Sequence, residues 1–136
     1  MEVIVHHQGN VKFEAQVRGH RIVCDQPFEN GGANAGMTPP ELLLASLGTC
    51  AGYYAAEYLQ TRGLPDEGLE VRVSAVKATQ PARLASFQIQ VAVPALEARH
   101  EAGILRAVKA CLIHNTLMHA PQIDIAIESR VPATIG

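Results

Sequence analysis

The chain has 136 residues, a length that fits a single domain spanning residues 1–136. Its formal net charge is −2, and it has no cluster of lysine and arginine, which excludes the basic surface that nucleic-acid partners require. Hydrophobic residues make up 48% of the chain but aromatic residues only 4%, so we expect a core of Leu, Val, Ile and Ala.

The N-terminal segment and the most apolar segment predict a protein that is neither exported nor inserted in a membrane. The first ten residues lack the basic and apolar regions of a secretory signal. The apolar run 42–56 is shorter than the about 20 residues that span a bilayer. We therefore expect a soluble, cytoplasmic protein without membrane partners, in which the three cysteines form no permanent disulfide framework.

The first thirty residues predict a small antiparallel sheet. Apolar or alternating segments flank the hairpin signal Gly9-Asn10, and a third such segment follows Arg18-Gly19. The predicted strands are 2–7, 11–17 and 20–25. A glycine-rich segment, 29–37, comes next. It lacks the spacing of phosphate-binding motifs, so we expect a flexible lead-in to the following element.

A long helix is predicted to begin sharply after Thr38. Thr38 and Glu41 have the pattern of a capping box, and Pro39 suits the first helical position because it has no N–H to lose. Periodic apolar residues continue to about Leu59, and Gly63 is typical of the residue just beyond a helix C-terminus.

Between residues 42 and 56 this helix is apolar or small on every side, which is typical of a helix buried all round. Gly48 and Gly52 cost about 1 kcal/mol each in a helix, and close packing by another helix is the usual compensation. One chain of this length has one sheet face and one other long helix to offer. We therefore infer a homodimer in which a second copy covers the remaining side; a monomer with a well-covered helix is the alternative.

Period-two alternation predicts further strands in the second half of the chain. The predicted elements are strands 69–78 and 84–93, a helix 95–110 opened by Pro94, a short helix 112–119 and a final strand 122–129. The order βββ-α-ββ-α-β predicts an α+β fold with helices packed on one sheet face.

Two cysteines in helical segments are the candidate functional residues. Cys50 lies in the middle of the long helix, where a small buried side chain is the ordinary interpretation and the helix dipole gives no help in forming a thiolate. As a nucleophile it needs a cation from elsewhere; Arg18 and Arg21 are candidates, and Glu41 could orient either one. Cys111 follows a helix end, where the field disfavours a thiolate, so it is better suited to resolve than to attack.

Other interpretations of these residues stay open. Cys24, on a strand, is interpreted as core packing. Cys111, His114 and His119 are close in sequence, but one Cys-x2-His spacing is a weak zinc signal, so no metal or cofactor is expected. His114 is either a base near the thiol or a packed or surface histidine. The alternative function is a module that holds a hydrophobic ligand or senses redox state.

The segments TPPELLLASLGTCAG and ACLIHNTL, in this order and at this separation, resemble the OsmC/Ohr family of osmotically inducible and organic hydroperoxide resistance proteins. The resemblance covers nearly the whole chain. It implies an intertwined α+β homodimer with two active sites at the subunit interface. It also implies thiol-dependent reduction of organic hydroperoxides, with Cys50 as the peroxidatic cysteine and Cys111 as the resolving one. A dithiol reductant, a lipoylated protein in the Ohr branch, reopens the resulting disulfide.

The chain departs from the Ohr branch at the residues that activate the thiol. That branch has a glutamate ten residues before its reactive cysteine, whereas here Pro40 occupies that position and Glu41 lies nine residues before Cys50. One residue is about 100° of rotation on a helix. The activating arginine of the branch comes from the N-terminal sheet, so Arg18 and Arg21 both remain candidates. The resemblance is thus to the OsmC-like subgroup.

Overall fold

The computed structural model describes residues 1–132. Its strands and helices, in chain order, are β1 (Ile4–His7), β2 (Phe13–Val17), β3 (His20–Cys24), α1 (Pro39–Thr61), β4 (Glu70–Ala78), β5 (Arg83–Ala92), α2 (Glu101–Lys109) and α3 (Leu112–Met118). The predicted α+β class, with antiparallel sheets, is confirmed.

The strands form two separate antiparallel sheets. The first has the order β1-β2-β3, and the second is the β4-β5 hairpin. Strands β2 and β3 are joined by a tight turn in which Arg18 and Gly19 have φ angles of 51° and 80°, as a type I′ hairpin turn requires. The connection between β1 and β2 is wider than the Gly9-Asn10 pair suggests, because His7 already pairs with Phe13 and the loop takes residues 8–12.

Helix α1 begins and ends as its sequence predicts. The Thr38 hydroxyl accepts a hydrogen bond from the Glu41 N–H at 3.4 Å, and the Glu41 carboxylate accepts one from the Thr38 N–H at 3.0 Å. These reciprocal bonds satisfy N–H groups that have no partner within the helix. Gly63 follows the helix with a φ of 64°, which suits glycine because it has no Cβ.

One stripe of α1 forms the centre of the core. Ala51, Ala55 and Leu59 are fully buried and contact Ile104 and Val108 of α2. The other side of this core is the β4-β5 hairpin, whose Val71, Ile89 and Val91 pack against the same cluster. Helix α1 therefore packs against both the hairpin and the two C-terminal helices.

A second stripe of α1 is exposed in the single chain. Thr49, Tyr53 and Glu57 recur every four residues and face solvent, and the exposed fraction of Tyr53 is 62%. Within one chain, then, α1 is not buried on every side. Along the part of the chain that the structure describes, no helix combines the length and apolar character needed to cross a bilayer.

The helix predicted at 95–110 begins later in the structure than the sequence suggests. Residues 98–100 form a single 3-10 turn, and α2 begins only at Glu101. Ala95, directly after Pro94, has a φ of 57°, which takes the chain out of the right-handed helical region. The separate short helix is confirmed as α3, which begins after Cys111.

The predicted strand 122–129 is wrong for this chain. Residues 120–132 belong to no strand or helix, and the alternating side chains of Ile123, Ile125 and Ile127 are 76%, 85% and 91% exposed. Alternation describes a strand with one face to bury, but a strand also needs a neighbour to accept its hydrogen bonds. Among the described residues neither sheet supplies that neighbour.

Candidate thiol site

Cys50 and Cys111 come together where α3 packs against α1. Cys50 lies half-buried on the side of α1 between its core stripe and its exposed stripe. Cys111 is only 1% exposed and sits at the start of α3. Both are free thiols, and about 60 residues of sequence separate them.

Cys111 is held as a protonated thiol. It is the N-cap residue of α3, and its Sγ accepts a hydrogen bond from the His114 N–H at 3.4 Å. That bond favours a thiolate, but burial and the neighbouring Cys50 thiol act the other way, and together they raise the pKa of Cys111. Cys111 thus lies at a helix start, rather than only beyond a helix end as its sequence context suggests. A thiol that keeps its proton suits the resolving role rather than the attacking one.

The face of α1 around Cys50 is aromatic and polar. Tyr53 and Tyr54 lie one turn beyond Cys50, with their rings 5.2 Å apart and edge to face. The Glu57 carboxylate beside the Tyr53 hydroxyl raises the pKa of Tyr53, so this phenol stays protonated at neutral pH. These side chains lie on the turns of α1 that follow Cys50.

The two candidate arginines lie on the other sheet. Arg18 occupies the β2-β3 turn, and Arg21 on β3 makes an ion pair with Glu14, with 3.9 Å between Nε and Oε1. Within residues 1–132 neither arginine has a hydrogen bond or ion pair to α1. The main packing partners of α1 are β4, β5, α2 and α3, so the single chain does not bring the arginines and the thiols together.

Among residues 1–132, the Glu41 carboxylate is hydrogen-bonded to Thr38 at the start of α1 and not to either thiol or arginine. Its carboxylate accepts hydrogen bonds from the backbone N–H and the hydroxyl of Thr38, and these bonds lower the pKa of Glu41. Nine residues correspond to about 900° of rotation, which places Glu41 and Cys50 on opposite sides of α1. The contacts that the structure gives Glu41 are those of a helix cap.

The sequence matches one known protein family over most of its length. The family model described as OsmC-like protein matches residues 31–126, which include Cys50, Cys111 and the helices α1, α2 and α3. The chain belongs to the OsmC-like family. No curated protein matches the sequence.

Solved structures share the fold of this OsmC-like chain at low sequence identity. A Psychrobacter arcticus protein, provisionally described as an osmotic stress induced and detoxification response protein, is 20% identical with a TM-score of 0.76, over 84% of this chain and 85% of its own. An OsmC-like protein from Mycoplasma pneumoniae is 20% identical with a TM-score of 0.69, over 88% and 86%. The organic hydroperoxide resistance protein OsmC from Legionella pneumophila is 16% identical with a TM-score of 0.59, over 86% and 89%.

The histidines near the OsmC-like thiol pair do not gather as metal ligands. In the described part of the chain, no three His, Cys, Asp or Glu side chains come together in a way that could hold a metal ion. The Nδ1 atom of His114 contacts the Asn115 side-chain oxygen at 3.4 Å, and it is the backbone of His114, not its ring, that bonds to Cys111. Cys24 ends β3 half-buried, and its backbone forms an isolated β-bridge with Met37, just before the start of α1.

Two features of this OsmC-like chain escaped sequence reasoning. One is an apolar groove of about 640 Å³ lined mainly by β5 and α2, including Ile89 and Val108, with His114 also in its lining. The other is Asp25, a fully buried carboxylate beside the glycine-rich segment. A groove depends on how elements pack and has no sequence signal. Asp25 had one, because aspartate is typical of turns in which its carboxylate accepts hydrogen bonds from nearby backbone N–H groups.

Proposed function

We propose that this protein reduces organic hydroperoxides, with Cys50 as the attacking thiolate and Cys111 as the resolving thiol. The observation that carries the proposal is the meeting of two free cysteines from distant parts of the chain, one half-buried and one fully buried. Membership of the OsmC-like family supports it, as do structural relatives whose names specify organic hydroperoxide resistance.

In the first step the Cys50 thiolate attacks the terminal oxygen of the hydroperoxide. The O–O bond breaks, and the departing alkoxide takes a proton and leaves as the alcohol. Cys50 is oxidised by two electrons to the sulfenic acid, while the peroxide is reduced by two. The half-buried position of Cys50 leaves room for a peroxide to reach its sulfur.

In the second step the Cys111 sulfur attacks the sulfenic sulfur. A disulfide forms, and the hydroxyl group leaves as water with the proton of the Cys111 thiol. Because Cys111 is 1% exposed, it is shielded from solvent oxidants until its partner is oxidised. An external dithiol, such as a lipoylated protein, then reduces the disulfide in two thiol exchanges and is itself oxidised.

Activation of Cys50 is proposed to depend on a homodimer and on the arginines of the N-terminal sheet. The exposed stripe of α1 at Thr49, Tyr53 and Glu57 leaves a face that a second copy can cover. In the dimer, the guanidinium group of Arg18 or Arg21 lies beside Cys50 and stabilises its thiolate, since an opposite charge favours the charged form. In this scheme Glu41 fixes the start of α1 and does not touch the sulfur.

The thiol chemistry can be tested by mass spectrometry. Reduced protein is exposed briefly to one equivalent of tert-butyl hydroperoxide, and the intact mass and disulfide-linked peptides are measured. We expect loss of two hydrogen atoms and a single Cys50–Cys111 crosslink. Cys111→Ser should stop at the sulfenic acid on Cys50, and Cys50→Ser should not react.

The matched control for these variants is Cys24→Ser, which removes a thiol outside the proposed pair and should leave the crosslink intact. Equal oxidation of wild type and Cys50→Ser contradicts the proposal. Steady-state turnover with dihydrolipoamide should also be faster with tert-butyl hydroperoxide than with hydrogen peroxide.

The arginine assignment is tested through the alkylation rate of Cys50 at pH 7. Arg18→Ala or Arg21→Ala should slow alkylation by iodoacetamide, and each pKa unit of lost activation corresponds to about a tenfold slower reaction. Arg99→Ala is the matched control, because Arg99 is an exposed arginine in the 3-10 turn before α2, where it pairs with Glu97. If neither sheet variant changes the rate, both arginines are excluded as the thiolate partner.

The dimer is tested by sedimentation. We expect a single dimeric species at micromolar protein concentration. A stable monomer under those conditions contradicts the homodimer and, with it, a site that needs two copies.

The groove between β5 and α2 favours one second candidate, a module that holds a hydrophobic ligand. Its volume of about 640 Å³ lies within the range typical of small-molecule sites. Saturable binding of a long-chain fatty acid by protein that tert-butyl hydroperoxide does not oxidise would favour this function over the peroxidase.

A further inference from the structure

The segment between β3 and α1 is ordered around one buried carboxylate. Asp25 directly follows β3 and is 1% exposed. Its Oδ1 accepts a hydrogen bond from the Gln26 N–H at 2.8 Å, and its Oδ2 accepts bonds from the N–H groups of Ala33 and Ala35, both at 3.1 Å. A buried carboxylate is tolerated when its oxygens are satisfied in this way. The glycine-rich segment is therefore not the flexible lead-in that its composition suggests.

Two further contacts fasten the same segment. The Asp25 N–H donates to the Met37 carbonyl at 3.2 Å, one residue before the helix cap Thr38. From the β1-β2 loop, the Asn10 side-chain amide donates to the Gly31 carbonyl at 2.6 Å. The end of β3, the glycine-rich segment and the start of α1 thus form one connected unit, which we call the sheet–helix joint (residues 24–38).

The joint is packed too tightly for larger residues. A Cβ on Gly32 would lie 2.8 Å from Asp25 Oδ1 and would also overlap the Gln26 carbonyl. A Cβ on Gly36 would lie 2.8 Å from the carbonyl carbon of Val23 on β3. Real Cβ contacts are longer than this, so both glycines are needed for the backbone to approach the carboxylate and the strand so closely.

The joint connects the two parts of the proposed site. Arg18 and Arg21 lie on the sheet at one side of it, and Cys50 lies on the helix at the other. We propose that Asp25 is a positioning residue of the thiol site: it fixes the direction of the arginine-bearing sheet relative to α1, and so places an arginine for a Cys50 thiolate. This inference rests on the proposed function, and it holds whichever copy of a dimer contains the Cys50 that the arginine serves.

The positioning role of Asp25 is tested by a double-mutant cycle in which the alkylation rate of Cys50 is measured. The four proteins are wild type, Asp25→Asn, the double variant Arg18→Ala/Arg21→Ala, and all three substitutions together. Asparagine presents an NH2 group where one carboxylate oxygen accepts hydrogen bonds, so it disrupts the joint with little change in volume. Alkylation by iodoacetamide is followed at Cys50 by peptide mapping.

We expect Asp25→Asn to slow alkylation by a factor no larger than that of the arginine double variant, about threefold to tenfold. The triple variant should then react as slowly as the arginine variant and no slower, because Asp25 acts only through an arginine. Loss of a residue that merely stabilises the fold would change the alkylation rate by the same factor with and without the arginines. Asp66→Asn is the matched control, since Asp66 is an exposed aspartate bonded to Gln60 near the other end of α1.

Asn10→Gly gives a second variant in case Asp25→Asn does not fold. Glycine tolerates the φ of 49° at this exposed position, and the substitution removes only the bond to Gly31. It should slow alkylation less than Asp25→Asn, and again only when the arginines are present.

The other possible outcomes contradict either the positioning role of Asp25 or the arginine activation of Cys50. If the arginine variants slow alkylation but the joint variants do not, or if the effects multiply in the combined variant, Asp25 is not a positioning residue and the proposed function stands. If the arginine variants leave the rate unchanged, arginine activation in the proposed function fails and this inference falls with it.

Discussion

Oxidation of the Cys50–Cys111 pair should raise the unfolding temperature of the protein. A disulfide between these residues closes a loop of about 60 residues, and the loss of chain entropy in the unfolded state corresponds to about 4 kcal/mol of stabilisation. For 136 residues, about 1 kcal/mol shifts Tm by about 3–4 °C. Because the two thiols are already neighbours in the folded protein, we expect a rise of about 10–15 °C.

Differential scanning calorimetry of reduced and peroxide-oxidised protein measures this shift. The protein concentration is held constant, since association alone changes Tm. Cys24→Ser should keep the full rise, and Cys111→Ser should lose it. The effect should reverse when dihydrolipoamide is added.

An oxidised wild-type protein with an unchanged or lower Tm would refute the reasoning. Such a result would mean that the bond forms only with distortion of α1 or α3, or that the oxidation took place at another residue. Peptide mapping of the same sample separates these two cases.

Three further predictions concern the elements that hold the site. Thr38→Ala should cost about 1 kcal/mol, seen as a Tm lower by about 3–4 °C, whereas Thr38→Ser should keep the cap. Gly103→Ala should cost about 1–3 kcal/mol in urea unfolding, because the new Cβ would lie 2.7 Å from Cζ of Tyr58 and force that ring to move. The Gln26 N–H and other backbone donors lower the pKa of Asp25 below its ordinary value of 3.8, so its stabilising effect is present above that pH and is lost as pH falls below it. Acid titration of unfolding should therefore show a steeper loss below about pH 4 in wild type than in Asp25→Asn; parallel curves would contradict this.

Several elements could be predicted from local sequence because their causes are local. The capping pattern of Thr38 and Glu41 defines the start of α1 through bonds between residues three positions apart. Gly19 predicts the turn between β2 and β3, since glycine readily adopts the positive φ that it has there. The predicted start of the second helix was wrong because of a single residue. Ala95 has a positive φ that its flanking sequence does not indicate, and α2 begins only after it.

The final strand shows where pattern alone fails. The alternation of Ile123, Ile125 and Ile127 gives the segment one apolar face, but strand formation also needs a hydrogen-bonding neighbour. That neighbour is a property of the assembled sheet, and the described chain provides none. For the same reason the sequence could not say whether Arg18 or Arg21 reaches a thiol.

By itself the sequence determined the α+β class, the central helix, the two cysteines of interest and, through their flanking residues, the family. Only the tertiary structure decided that Cys50 and Cys111 are neighbours, that burial and this contact raise the pKa of Cys111, and that Asp25 binds backbone N–H groups of the glycine-rich segment. The physical reason is the distance along the sequence between the residues that interact. Caps and turns depend on residues a few positions apart, whereas the thiol pair and the buried carboxylate depend on packing that brings separate segments together.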